Sequence, residues 1–173
     1  MKIRMAEERD PEQIAEIYEH HFDYEDANGT MTQWNRGIYP SLETAENAYR
    51  NGWLIVYEDG GRVLGSIIVN SEQTPIYGEV DWAYPAEGDR VAVLHTLCVE
   101  PAEWGHGIGT KLVAAAEDHA RRNGAAVCRL DTWTGNRASV ALYTGVGYEY
   151  AGHHYAEYDS VLPSDLYFYE KKL

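Results

Sequence analysis

Glycines at every second position, Gly105, Gly107 and Gly109, follow an apolar segment and precede a segment with helical periodicity. Glycine adopts backbone angles that a Cβ atom forbids, so the chain can turn sharply here and leave N–H groups without partners at the start of a helix. Amides in that position bind phosphate, because they lie at the positive end of the helix dipole. The spacing predicts a phosphate-binding loop, with a tight turn that serves packing alone as the alternative.

The residues after the glycines do not fit two common phosphate loops. The Walker pattern ends in Gly-Lys-Ser/Thr, whereas Gly109 is followed by Thr110 and only then by Lys111. The Rossmann pattern requires a glycine at the position of Thr110. The loop must therefore be identified from a wider context.

A second segment, residues 136–148, begins with Asn136 and contains Tyr143. Asparagine is a good N-cap, and Gly147 is a suitable end for a short helix. The step from Asn136 to Tyr143 is nearly two helical turns, so both side chains share one face. A capping asparagine or a core tyrosine would explain either residue alone. Two ordered motifs in one chain favour a common site.

Together the two segments resemble the GNAT N-acetyltransferase superfamily over about residues 91–148. Residues 104–112 are similar to its acyl-CoA pyrophosphate loop, and residues 136–148 to its Asn-x-x-Ala-x-x-Leu-Tyr segment, with Ser139 in the Ala position. Trp104 departs from the pattern, because it stands where the family usually has Arg or Gln. The resemblance implies an N-acetyltransferase that uses acetyl-CoA as its cosubstrate.

The resemblance also implies a role for each matching residue. Those expected to bind the cosubstrate are Leu97, Cys98, Val99, Trp104, Gly105, His106, Gly107, Ile108, Gly109, Thr110, Asn136, Ser139 and Tyr143. Backbone N–H groups of residues 97–99 would align the pantetheine arm and polarise the acetyl carbonyl. The Tyr143 hydroxyl would protonate the departing sulfur.

The proton acceptor stays open between several side chains. His95 lies just before the expected acetyl position, and imidazole titrates near neutral pH, but a histidine packed in the sheet is the rival explanation. Glu79 and Asp81 are rival acceptors that would act through water. Cys98 is a weaker candidate for a covalent acetyl carrier, because no activating partner is visible near it.

The acceptor amine is only partly constrained. Trp34 and Tyr39 either line its pocket, together with Glu79 and Asp81, or anchor a loop on the core. Residues 94–99 also look like the corresponding strand of aminoglycoside acetyltransferases, which raises an aminoglycoside-like or polyamine acceptor and leaves peptide N-termini and protein lysines open. The alternative from another class is a noncatalytic acyl-CoA-binding regulatory module.

The elements that position these residues follow an α/β pattern. Residues 91–99 are largely apolar on both faces, as in a central strand, and would lie parallel to residues 126–131. The helix that begins at Ile108 has an apolar face and a polar face, with Glu117 on the polar one. We expect residues 1–173 to form one GNAT-like domain, with a mixed, mostly antiparallel sheet, one parallel pair and helices on both faces.

Further elements are expected around this centre. Strands are predicted at residues 2–5, 53–57, 63–69, 148–155 and 166–170, the last two around a turn at 162–165. Residues 76–82 are predicted to form a further strand or an extended segment. Asp10 would cap the first helix, and residues 22–40 would be irregular. Ser41 would cap a second helix with Leu42, Ala45 and Tyr49 inward.

Composition narrows the partners and the compartment. Lys and Arg number 14 against 28 Asp and Glu, a formal net charge of -14, so nucleic acid is not an expected partner. A cationic substrate suits this field, but acidity that only keeps the protein soluble is the favoured explanation. Cys98 and Cys128 lie in different predicted strands and imply no disulfide. Without a signal-peptide pattern or a bilayer-length apolar stretch, a cytoplasmic protein with no membrane contact is expected.

No motif specifies a metal or an oligomer. His20 with His21, and His153 with His154, are adjacent pairs whose side chains point in different directions, so neither pair forms a two-ligand clamp. We therefore expect no metal. Exposed strands near the C-terminus are the expected surface if the protein forms a homodimer.

Overall fold

The computed structural model describes residues 1–158 and 161–173, in which seven strands and four α-helices are found. The strands are β1 Lys2–Met5, β2 Leu54–Asp59, β3 Arg62–Asn70, β4 Val91–Val99, β5 Val127–Trp133, β6 Glu149–Tyr158 and β7 Val161–Lys172. The helices are α1 Asp10–Asn28, α2 Leu42–Arg50, α3 Ile108–Arg122 and α4 Arg137–Gly145. The strands form one sheet in the order β1-β2-β3-β4-β5-β7-β6.

One parallel pair interrupts an otherwise antiparallel sheet. β4 and β5 run parallel, and their register pairs only residues 91–93 with residues 127–129. The other neighbouring strands pair in antiparallel register. The structure confirms the predicted mixed sheet and the central position of residues 91–99.

Helices cover both faces of the sheet. Ile67 and Ile68 are adjacent residues of β3 and belong to two separate cores, so these cores lie on opposite faces. α3 contributes Leu112 to the first core, whereas α1 and α2 contribute Ile14 and Ala45 to the second. The central strands are therefore buried between two helical layers, which explains their apolar residues on both faces.

A bulge in β4 opens the sheet beside the parallel pair. Ser66 lies opposite Cys98, and Ile68 lies opposite His95, so two steps along β3 span three steps along β4. Thr96 lies inside the bulge with a φ of 47°, a left-handed conformation that is rare for a β-branched residue. Because β4 pairs with β5 only before the bulge, the strands separate after it and leave backbone groups facing a gap.

The region predicted as irregular, residues 22–40, is partly helical. α1 continues to Asn28, and Gly29 follows with a φ of 94° and its N–H bonded to the Glu25 carbonyl oxygen at 2.7 Å. Phe22 is buried and extends the apolar stripe of the helix by one turn. The pair Asn28 and Gly29 therefore ends the helix.

The strand or extended segment predicted at residues 76–82 is wrong over residues 76–79, because the structure has a 3₁₀ helix at Pro75–Glu79. Proline suits the first helical position, since its φ is fixed near the helical value and it has no N–H to leave unpaired. β4 is already flanked by β3 and β5, so the sheet offers no edge there to another strand. The indole Nε1 of Trp82 instead donates to the Tyr77 carbonyl oxygen at 2.9 Å.

Helix α2 begins as predicted but turns a different residue inward. The Thr44 N–H donates to the Ser41 Oγ at 3.4 Å, which confirms the cap. Ala45 is buried as expected, whereas Leu42 is 41% exposed and Ala48 takes the second inward position. The prediction of an inward Leu42 is wrong, because α2 contributes Ala45 and Ala48 to the core rather than its first residue.

The turn predicted at residues 162–165 is wrong, because these residues belong to β7. β5 ends at Trp133, opposite Leu166, so Pro163 lies beyond the end of β5 and its missing N–H removes no bond to that strand. Residues 159–160, between β6 and β7, lie outside the described residues.

Glu117, predicted on the polar face of α3, is buried. Both of its carboxylate oxygens accept hydrogen bonds from the Lys171 Nζ at 2.8 Å, and Arg121 Nη2 lies 3.4 Å away. A buried carboxylate requires a partner of opposite charge, and β7 supplies it. Helical periodicity predicts the polar face for Glu117 because it takes no account of Lys171, which comes from another element.

Asp10 does not cap α1, since it is the first helical residue and is fully buried. Its Oδ2 accepts from the Glu7 N–H at 2.6 Å and from Arg4 Nη1 at 2.5 Å, and its Oδ1 accepts from Arg4 Nη2 at 3.0 Å. Burial alone would raise the pKa of Asp10, but the bonds from Arg4 and the Glu7 N–H together lower it. Arg4 also donates to Glu58 of β2 at 3.0 Å, so the cluster joins β1, β2 and α1.

Substitution Arg4→Met should lower the free energy of unfolding by about 3 kcal/mol, because it strands a buried carboxylate. The pKa of Asp10 is lower in the folded than in the unfolded chain, so the pair stabilises the protein above the unfolded value of about 4. That stabilisation is lost as the pH falls through the folded pKa. Urea denaturation at neutral and at acidic pH should show a smaller difference between variant and wild type in acid.

Lys2→Met is the matched control. The Lys2 Nζ also lies 3.4 Å from a Glu58 oxygen, but its side chain is 54% exposed. Exposed ion pairs contribute about 0–1 kcal/mol, so this variant should unfold nearly as the wild type does. Equal losses in the two variants would contradict the role given to the buried pair.

Candidate active site

The gap between β4 and β5 opens into a cavity of about 1400 Å³. Most residues predicted to bind ligands or to catalyse line it, namely Trp34, Tyr39, His95, Leu97, Cys98, Val99, Trp104, Gly105, Gly107, Ile108, Gly109, Thr110, Asn136, Ser139 and Tyr143. His106, Glu79 and Asp81 are exposed and lie outside this lining. The fold therefore gathers segments that are far apart in sequence around one space.

The glycine loop has the backbone geometry of an anion site. Gly105 and Gly107 have φ values of 84° and 74°, and Gly107 is the N-cap of α3. The Lys111 N–H donates to the Gly107 carbonyl oxygen at 3.2 Å, so the amides of residues 108–110 come before the first bond of the helix. Amides at this end of a helix dipole fit the pyrophosphate of acetyl-CoA.

Gly109 is not required by packing. A Cβ added there would lie 3.6 Å from the nearest atom of Leu142 and 3.9 Å from Leu97, which are ordinary contact distances. Both leucines line the cavity, so the added methyl group would stand on the ligand side of the loop. This geometry argues against a glycine that serves the turn alone.

Trp104 attaches the loop to the sheet and to α1. Its indole Nε1 donates to the Val99 carbonyl oxygen at 2.8 Å. Its ring lies edge-to-face with Tyr24, at 4.6 Å between centroids, and with His21 at 5.6 Å. An indole brings no positive charge, so anion binding at this loop depends on the amides and on the dipole of α3.

Helix α4 presents two predicted residues to the cavity. The Asn136 Oδ1 accepts from the Ser139 N–H at 3.0 Å, which confirms the predicted N-cap. Tyr143 is buried, and burial together with the neighbouring Asp131 carboxylate raises its pKa. A raised pKa keeps the Tyr143 hydroxyl protonated at neutral pH, which is the state that a proton donor requires.

His95 reaches the cavity but is a poor proton acceptor. Its Nε2 lies 2.9 Å from the Asn70 Oδ1, which also accepts the Glu72 N–H at 2.9 Å, so the imidazole nitrogen is the donor. Burial lowers the pKa of His95 to about 4. The imidazole is therefore neutral at physiological pH and binds a further proton weakly.

Both cysteines are buried free thiols. Burial raises the pKa of Cys98 well above its ordinary value, with the carboxylates of Glu100 and Glu25 adding to the effect. Burial also raises the pKa of Cys128, to about 12. Since the thiolate is the nucleophile, this environment opposes Cys98 as an acetyl carrier.

Asp131 is a cavity-lining carboxylate that sequence reasoning missed. It lies two residues after Arg129, the last residue of β5 that pairs with β4. Its Oδ2 accepts a hydrogen bond from the Tyr77 hydroxyl at 3.4 Å. Burial raises the pKa of Asp131 to about 6, and the bond from Tyr77 partly opposes that rise. The sequence shows a carboxylate at the end of the strand predicted at residues 126–131. It does not show that this strand separates from β4 there, which is what brings Asp131 to the cavity.

Aromatic and acidic side chains dominate the rest of the lining. The Tyr39 hydroxyl bonds to the Thr96 hydroxyl, and the Trp34 and Tyr39 rings lie edge-to-face at 6.4 Å, so this loop is tied to the β4 bulge. Over residues 1–158 and 161–173, the cavity is lined by five carboxylates and one guanidinium: Glu43, Glu72, Glu103, Asp131, Glu157 and Arg50. Such a lining attracts positively charged groups.

The histidines that are adjacent in sequence engage separate partners. His20 Nδ1 lies 2.8 Å from a Glu100 oxygen, and His153 Nε2 lies 3.1 Å from an Asp165 oxygen. Among the described residues, no three His, Cys, Asp or Glu side chains are placed to hold a metal ion. In the same part of the chain, no helix has the length and apolar character needed to cross a bilayer.

Known proteins place this architecture in one class. The model of the Acetyltransferase (GNAT) family matches residues 11–148, which includes the glycine loop and α4. The chain therefore belongs to this family and is an acyltransferase, as the resemblance of its motifs implied.

Individual relatives make the comparison more specific. The L-methionine sulfoximine/L-methionine sulfone acetyltransferase of Salmonella typhimurium is 32% identical over 152 residues, which cover 86% of this chain and 80% of that protein. The structure of a ribosomal-protein-alanine N-acetyltransferase from Brucella melitensis matches with a TM-score of 0.73 and 28% identity over 100% of both chains. YncA from Salmonella typhimurium, solved with its cofactor acetyl-CoA, shares the fold at a TM-score of 0.72 and 24% identity, covering 99% of this chain and 93% of YncA.

Proposed function

We propose that this protein transfers the acetyl group of acetyl-CoA directly to the primary amine of a small molecule. The observation that carries the proposal is the continuous cavity between the helix-start amides of residues 108–110 and Tyr143. Acetyl-CoA has a pyrophosphate at one end and a thioester at the other, so its two ends need one space with an anion site and a proton donor. The acetyl-CoA bound to YncA supports the same choice of cosubstrate.

Each part of the cavity has a defined task in this reaction. The loop amides bind the pyrophosphate, and the backbone of residues 97–99, freed from β5 by the bulge, bonds the pantetheine arm and polarises the acetyl carbonyl. Asn136 and Ser139 border the path of that arm on α4. Tyr143 donates its proton to the sulfur as the C–S bond breaks. The raised pKa of Cys98 favours direct transfer over a covalent acetyl-enzyme.

For the acceptor we favour a cationic amine of the aminoglycoside or polyamine type. Such an acceptor carries further ammonium groups besides the one that reacts, and these would be attracted by the five carboxylates of the cavity lining. An α-amino acid is the second candidate, because the Salmonella relative is named for methionine sulfoximine and methionine sulfone, and Arg50 would be the side chain that binds its carboxylate. A peptide N-terminus is the third, supported by the Brucella neighbour.

Competition between acceptors tests this order. We expect kcat/KM for spermidine or an aminoglycoside to exceed that for L-methionine sulfone and for a peptide that begins with alanine. Arg50→Gln should leave the polyamine rate unchanged if the acceptor carries no carboxylate. A preference for methionine sulfone that is lost in Arg50→Gln would overturn the cationic assignment and establish the amino acid.

Thermal stability with CoA and acetyl-CoA, followed by thiol release on an amine panel, tests the reaction itself. A ligand at 100 times its Kd that binds only the folded chain adds about 2.7 kcal/mol of stability. Stabilisation with amine-dependent thiol release establishes the enzyme. Stabilisation without release on any amine favours the noncatalytic acyl-CoA-binding module, and no stabilisation refutes the anion site.

We place this protein in the cytoplasm, since both cysteines are buried free thiols, with residues 1–173 as one domain. No nucleic acid or membrane partner is proposed, in keeping with the net charge of -14. For a homodimer the proposed surface is the outer strand β6, where Tyr150 and Tyr155 are exposed.

A further inference from the structure

We propose that Asp131 is the general base of this transfer, taking a proton from the acceptor ammonium, an assignment that rests on the proposed function. The acceptor must lose a proton before its nitrogen can attack, so the site needs a proton acceptor next to the thioester. Neither His95, whose Nε2 is committed to Asn70, nor the exposed Glu79 and Asp81 occupies such a place. Asp131 lines the cavity where β4 and β5 separate.

The position of Asp131 puts base and acid on opposite sides of the gap. Leu130 and Tyr143 belong to the core on the α3 face of the sheet. Asp131 follows Leu130 directly, so its side chain points to the opposite face, where Val127 and Phe168 are packed. A thioester in the gap would therefore have the proton donor on one side and the carboxylate on the other, as attack and departure require.

The groups around Asp131 leave it free to accept a proton. The Tyr77 hydroxyl donates a hydrogen bond to it, and the hydroxyls of Tyr39 and Tyr143 lie near enough for its charge to add to the rise that burial causes in their pKa values. The titratable groups of β4 that line the cavity are His95, which is neutral, and the buried thiol of Cys98. These neighbours bring no positive charge, so desolvation raises the pKa of the Asp131 carboxylate towards the range useful for proton transfer at neutral pH.

The nearest cation on the same face, Arg129, is occupied elsewhere. Its Nη1 donates to the Gln73 Oε1 at 2.8 Å and its Nη2 to the Tyr84 carbonyl oxygen at 3.1 Å. Glu170, opposite Arg129 on β7, accepts the Ala83 N–H at 2.6 Å. Throughout the described part of the chain, no cation lies within ion-pair distance of Asp131.

The proton balance of the step is complete without another reagent. The acceptor ammonium gives one proton to the Asp131 carboxylate, which later passes it to solvent. The neutral nitrogen forms a bond to the acetyl carbon, the C–S bond breaks, and its electron pair stays on sulfur, which takes the proton of Tyr143. The nitrogen then loses a second proton, and one proton restores the Tyr143 hydroxyl. The net products are the amide, the free thiol and the one proton that Asp131 passed to solvent.

The pH dependence of kcat/KM in Asp131→Asn tests the assignment. The wild type should lose activity as the pH falls through about 6, because the carboxylate becomes protonated. Asp131→Asn should lower kcat/KM by about 100-fold at neutral pH and remove that limb. Its stabilisation by acetyl-CoA should equal that of the wild type. Asp131→Glu should recover part of the rate together with the limb.

Three further variants make the outcome decisive. Tyr77→Phe removes the bond that lowers the pKa of Asp131, so it should move the acidic limb to higher pH even if Asp131→Asn does not fold. His95→Gln should keep the limb, and the exposed Glu87→Gln should change neither limb nor rate. The assignment of Asp131 is overturned if Asp131→Asn keeps the wild-type rate and pH profile, or if the acidic limb does not move in Tyr77→Phe. Either result leaves the proposed function standing. Absence of wild-type turnover on every amine overturns the proposed function as well.

Discussion

Tyr143→Phe should lower kcat by about 100-fold or more, since a positioned general acid contributes about 10²–10⁴-fold. Proton transfer to the sulfur lets CoA leave as a neutral thiol instead of a thiolate, and the buried Tyr143 hydroxyl is kept protonated by its raised pKa. Phenylalanine retains the ring and its packing. We expect the Tyr143→Phe protein to release thiol at least about 100-fold more slowly, and CoA to stabilise it as much as the wild type.

Tyr148→Phe is the matched control for Tyr143. The two rings lie edge-to-face in the same core, with centroids 5.5 Å apart, but Tyr148 is not among the residues that line the cavity. Its variant should release thiol at the wild-type rate. Equal rates in all three proteins would remove Tyr143 from the mechanism, and equal losses in both variants would point to a packing effect.

Gly109→Ala should weaken the binding of CoA by about 10–100-fold. The added methyl group faces the cavity and displaces the pyrophosphate from the amides, and one hydrogen bond to a charged group contributes about 1.5–3 kcal/mol. The melting temperature without ligand should change little, because the new Cβ makes only ordinary contacts with Leu142 and Leu97. Isothermal titration with CoA and a melting curve of the free protein separate the two effects.

Gly145→Ala provides the comparison for this glycine. Gly145 is the last residue of α4, and no atom lies within 4 Å of an added Cβ. Alanine there should leave CoA affinity unchanged and add at most about 1 kcal/mol of stability. Normal CoA binding by Gly109→Ala would contradict the anion site. If the Gly109→Ala protein does not fold, Gly109 is required for packing instead.

Local signals in the sequence anticipated the parts of the fold that depend on neighbouring residues. The glycine loop, the Asn136 cap and the hairpin of β2 and β3 follow from turn and cap chemistry within a few positions. Apolar residues on both faces of residues 91–99 indicated a strand covered on both sides. These features were sufficient to recognise the acyltransferase family and to place Tyr143.

Contacts between distant segments decided the rest. Residues 76–82 alternate like a strand but have no free sheet edge to join, and Glu117 is buried because Lys171 arrives from the last strand. His95 loses basicity through burial, and Asp131 gains it where β5 leaves β4. The sequence by itself determined the family, and it indicated the glycine loop and Tyr143 as the proposed anion site and proton donor. Only the tertiary structure decided which carboxylate is desolvated beside the gap and is therefore the proposed base, because desolvation and the separation of two strands depend on the elements packed around a residue rather than on its neighbours along the chain.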